Sequence, residues 1–104
     1  MPFRRSRFSD VVSRQLDLFV EEHAELVREC EELLARYDAA GRDEAEQLYG
    51  DYVDAVETGT EALADMRDAY ARTLAPADAE QYEAVFQRAV EKRLRPFALE
   101  LGDR

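Results

Sequence analysis

Apolar residues spaced three and four apart run through most of this chain, and no other feature restricts its fold as much. Leu16, Phe19, His23, Leu26, Cys30, Leu33 and Tyr37 alternate those spacings, so on an α-helix they share one stripe. Val20, Val27 and Leu34 widen the stripe to the breadth of a helix packed against two or more neighbours. Ala45, Tyr49, Tyr52, Val56, Gly59, Leu63, Met66 and Tyr70 make a second stripe, with Leu48, Val53 and Leu74 beside it. Tyr82, Val85, Phe86, Ala89, Val90 and Leu94 make a third. Nowhere does the pattern switch to the strict alternation of a strand.

Punctuation between the stripes sets the boundaries. Ala39-Ala40-Gly41 ends the first helix, with Gly41 expected in the left-handed conformation that closes a helix. Ser9 reads as the cap that opens it. Asp43 with Glu46, and Asp78 with Gln81, read as capping boxes for the second and third helices. Ala75-Pro76 stops the second helix, and Pro96 breaks or kinks the third near Arg95. The expected fold is all-α: an antiparallel three-helix bundle with helices over about 10–40, 43–74 and 78–95, and a short terminal turn or helix at 96–101. In this reading residues 9–104 are a single domain and 1–8 a flexible basic arm.

Helix lengths then predict an assembly. The first two helices, each of roughly 30 residues, are about 45 Å long, and the third only about 27 Å. The third therefore covers only the half of the hairpin nearer its own loop. Leu33, Leu34, Tyr37, Leu48, Tyr49 and Tyr52 are left partly bare on the other half. An apolar patch of this kind marks an interface, and a homodimer through those six residues is expected; the alternative is a monomer in which the segment after Pro96 folds up and covers the patch.

Charge excludes some functions. The chain carries a net −10, so its body repels phosphate backbones and anionic lipid, which argues against nucleic-acid or membrane binding. No apolar run is long enough to span a bilayer. A single cysteine permits no intrachain disulfide and points to a reducing, cytoplasmic setting. The paired arginines near residue 4 lack the apolar segment that an export signal requires. Phe3, Arg4, Arg5, Arg7 and Phe8 form a basic, aromatic arm suited to docking on an acidic protein partner.

Two polar intrusions interrupt the core stripes. One is His23, the only histidine; the other is Thr58-Gly59-Thr60, three weak helix formers within a long helix. Counting from the loop near Gly41 puts them about level. The space beside Gly59 is then a candidate ligand or metal pocket formed by His23, Glu57, Thr58, Thr60 and Glu61. The alternative is a core histidine bonded to a threonine or glutamate, with Gly59 allowing close helix contact. A di-iron site shared across a dimer needs a Glu-x-x-His pair, and Val20 stands where that glutamate would be. No cofactor is expected apart from that one conceivable metal. With a single histidine and no phosphate-cradling loop, the chain reads as a non-enzymatic, homodimeric interaction or scaffold protein. The alternative function is a small metal or ligand binder acting through the His23 pocket.

Overall fold

The computed structural model describes residues 7–104. Among these residues there are five helices and no strand: α1 (Ser9–Glu22), α2 (Ala24–Ala39), α3 (Arg42–Ala71), α4 (Pro76–Arg93) and α5 (Arg95–Gly102). None of them is long and apolar enough to cross a membrane.

The helix expected over 10–40 is two helices. His23 leaves the helical region at φ −120°, ψ 32°, yet its N–H still donates to the Phe19 carbonyl at 2.8 Å. Its own carbonyl accepts from Val27 at 3.0 Å, so the chain bends without opening a loop. The bend gives one continuous stripe two different partners. Val12, Leu16 and Phe19 of α1 pack principally on α4, whereas Cys30 and Leu33 of α2 pack on α3. The α2–α3 hairpin thus extends beyond the remaining helices, and the molecule measures 52 × 31 × 22 Å. Its radius of gyration of 15.7 Å exceeds the roughly 13 Å of a compact chain this size.

Helix ends also differ from the expected caps. Gly41 is extended, at φ −75° and ψ 170°, and its carbonyl accepts from Glu44 and Ala45 to start α3. Asp43 therefore lies inside the first turn, where its charge suits the helix dipole but its side chain caps nothing. Pro76 occupies the first turn of α4, where a missing N–H costs nothing, and this moves the start ahead of Asp78. Ser9 is likewise the first helical residue, and Phe8 precedes it as the cap position.

α4 ends at Arg93, and the chain turns at Leu94 (φ −134°, ψ 52°) into α5, with Pro96 in its first turn. Eight residues make a poor helix alone. Tertiary contacts hold this one. Phe97, Ala98 and Leu101 are buried against α3 and α4, and Phe97 meets Phe19 edge-on at 5.9 Å. Gln87 donates to the Ala98 carbonyl at 2.9 Å, and Arg67 reaches the Leu101 and Arg104 carbonyls at 3.4 and 3.3 Å. The Ala98 and Leu101 carbonyls of α5 thereby gain side-chain donors.

Gly59 is the seat of this helix. A methyl group there would overlap the Phe97 ring, so only glycine lets α5 lie this close to α3. Two effects oppose each other in Gly59→Ala. Better helix propensity favours alanine by about 1 kcal/mol, and overpacking disfavours it by about 1–3 kcal/mol. Because the obstructing group is a buried aromatic ring, overpacking should win. Urea denaturation should show Gly59→Ala less stable than wild type by up to about 2 kcal/mol. In a Phe97→Leu background the same change should be neutral or stabilising, and equal costs in both backgrounds would refute the seat.

Candidate functional site

The five residues expected to form a ligand pocket do not come together around one: Thr58 lines the groove between α2 and α3, without the other four. The space beside Gly59 is filled by Phe97 from α5, and His23 instead stacks on Phe19 with ring centroids 4.7 Å apart. Glu57 and Glu61 are exposed on α3. Thr58 is also exposed, its hydroxyl donating to the Asp54 carbonyl at 3.0 Å. Thr60 is fully buried, and its hydroxyl finds no partner among the described residues. Leaving such a group unpaired costs about 1–3 kcal/mol. Among the described residues no three His, Cys, Asp or Glu side chains converge as a metal site would require.

The six expected interface residues divide. Leu33 and Leu48 are buried between α2 and α3, and Tyr52 is half-buried beside them. Leu34, Tyr37 and Tyr49 remain exposed, and the Tyr37 and Tyr49 rings meet at 5.7 Å. Two neighbouring helices cover one side of each other and leave these residues on the rim.

Phe3, Arg4 and Arg5 of the basic arm lie outside the described residues. Arg7 and Phe8 do not extend away from the body. Phe8 is 4% exposed and meets Tyr82 edge-on at 5.7 Å, while Arg7 pairs with Asp78 at 2.8 Å. Burial of the ring is the larger contribution, because exposed ion pairs are worth about 1 kcal/mol or less.

Among the described residues the most exposed large apolar side chain belongs to none of the three stripes. Leu99 of α5 is 83% exposed, and Tyr49 of α3 is 55% exposed. Between them runs a groove of about 450 Å³ lined by Tyr49, Tyr52, Val53, Val56, Pro96 and Leu99, with Glu100 and Asp103 on its edge. A second groove, lined by Gln87, Glu91, Arg95 and Ala98, shares Leu99 and Asp103 with the first. The outer side of α5 is therefore a ridge between two grooves. The signal for it was present: Phe97, Ala98 and Leu101 share one face of a helix, which turns Leu99 to the other. Elsewhere the surface is charged. Glu29, Glu32, Asp51 and Asp54 line an acidic groove between α2 and α3, while Arg88, Lys92 and Arg93 line a basic one between α1 and α4.

Two buried groups titrate late. Burial, with Glu29 and Glu31 nearby, pushes the Cys30 thiol from an ordinary 9.0 up to about 11. Burial pushes the Tyr82 hydroxyl from 10.0 up to about 12, against the opposing effect of its 2.8 Å hydrogen bond to Gln15. An unfolded chain releases both protons earlier, so above pH 9 it binds fewer protons than the folded chain and folding weakens. This contribution is intact below pH 9 and is lost as pH rises through 11 to 12. Denaturation midpoints should fall steadily from pH 9 to pH 11, with a shallower fall in Cys30→Ala. Identical slopes for the two proteins would show that the thiol is not held protonated.

No family model, curated protein or solved structure matches the chain.

Proposed function

We propose that this chain is a non-enzymatic interaction or scaffold protein that works as a homodimer. The observation that carries the proposal is the apolar surface formed by Tyr49, Tyr52 and Leu99 at the α3–α5 groove, extended by the exposed Tyr37 ring against Tyr49. Large apolar side chains left bare together on one surface gain from burial against a partner by about 25 cal/mol per Å². Aromatic residues that are half-exposed before binding are the usual anchors of such contacts. A cytoplasmic setting belongs to the same proposal, since Cys30 is free and buried. His23 acts in this reading as a packing residue, held against Phe19.

Sedimentation velocity tests the assembly. The wild-type chain should sediment as a species of twice 12.0 kDa. Tyr49→Glu places a charge on the bare surface without touching the core, and should weaken association by about 2 kcal/mol or more. A monomeric wild type, or a variant that dimerises as tightly as wild type, would contradict the proposal.

A further inference from the structure

We infer that α5 is the two-fold element of this dimer, packing antiparallel against α5 of a second copy. Leu99 would meet Leu99 at the axis, and Arg95 of each chain would face Asp103 of the other. This inference rests on the homodimer reading above and specifies its contact.

The outward face of α5 carries the pairing. Arg95, Leu99 and Asp103 follow one another at intervals of four, so they stand in one row along the helix and its C-terminal cap. All three are exposed, and among the described residues neither Arg95 nor Asp103 makes an ion pair within its own chain. The row reads positive, apolar, negative, with its charges about 12 Å apart. Turned end for end, it becomes its own complement. A parallel pairing would set like charge against like, whereas an antiparallel one satisfies both ends at once.

A two-fold contact must be self-complementary in this way, because each residue's partner is offered by an identical surface. Antiparallel helix dipoles favour the same arrangement. The grooves on either side of the ridge add shape to charge. At the 8–10 Å separation of packed helices, the partner's ridge lies beside the Leu99 ridge and over one of its grooves. Tyr49 and Tyr52 then flank the partner's Leu99, which joins the aromatic rim of the hairpin to the same interface. A hetero-partner would need a complementary row of its own; a second copy already has one.

Charge reversal tests the register. Arg95→Glu and Asp103→Arg should each weaken the homodimer by about tenfold or more at low salt, since each change creates two like-charged pairs across the axis. The Arg95→Glu/Asp103→Arg double variant should dimerise again. An equimolar mixture of the two single variants should form the heterodimer in preference to either homodimer, as native mass spectrometry would show directly. All these side chains are exposed, so each variant should keep the helical content of wild type, as circular dichroism would show. Single variants that dimerise as wild type does, or a double variant as weak as the singles, would overturn the register. If Tyr49→Glu still dissociates that dimer, the homodimer stands and only the α5 contact fails. A wild type that is monomeric throughout overturns both.

Discussion

The Phe97 ring seated at Gly59 is the contact on which the rest of the structure depends. A glycine inside a thirty-residue helix forfeits about 1 kcal/mol of helix propensity. Full burial of a phenylalanine side chain returns about 1.5–3 kcal/mol, so the exchange favours the notch. Once the ring is in place, α5 has a fixed position and orientation. Leu101 and Ala98 follow it into the core, Gln87 and Arg67 find the carbonyls at its end, and Phe19 of α1 gains an edge-on partner. An eight-residue helix with no strong tendency to form is thereby made part of the bundle, and its outer side is fixed as well.

The bend at His23 distributes the remaining apolar surface. A straight helix across this region would carry Val12 and Leu16 along the α2 axis and away from α4. By turning there, the chain lets α1 bury its stripe on α4 and leaves α2 paired chiefly with α3. Two helices can bury Cys30, Leu33 and Leu48 between them, but cannot also cover Leu34, Tyr37 and Tyr49. The bare rim and the exposed ridge of α5 thus follow from one arrangement: four helices share a core, and one long hairpin projects past it.

Much of this is written locally in the sequence. The all-helical class follows from three- and four-residue spacing, and the interruptions near Gly41 and Pro76 fall between helices. Stripe membership marks Leu16, Phe19, Cys30, Leu33, Leu63, Tyr82, Phe86 and Val90 as core, and each is buried. The bend was not legible, because His23 lies in phase with its neighbours and hydrogen bonds continue across it. The occupant of the Gly59 notch was not legible either. Counting residues back from a turn assumes straight, parallel axes, so it placed His23 opposite; the bend moved that helix and α5 folded into the space. Capping patterns misled for a related reason. Pro76 and Gly41 supply starts that need no side-chain oxygen, leaving Asp43 and Asp78 one or two positions inside their helices. Leu99 escaped notice because the segment after Pro96, expected as a short turn or helix, is too short to show a stripe that assigns its faces.

The central claim is that seating Phe97 on Gly59 turns Leu99 outward onto the axis of a symmetric pair. A residue on a two-fold axis lies next to its own copy, so Leu99→Cys in a Cys30→Ala background offers a direct measurement under mild oxidation. Disulfides form only where Cα atoms come within about 7 Å. Leu18→Cys in the same background is the control, since Leu18 is also exposed, on α1. The account expects rapid, nearly complete covalent dimer from Leu99→Cys and little from Leu18→Cys. Equal, slow cross-linking of both would contradict it.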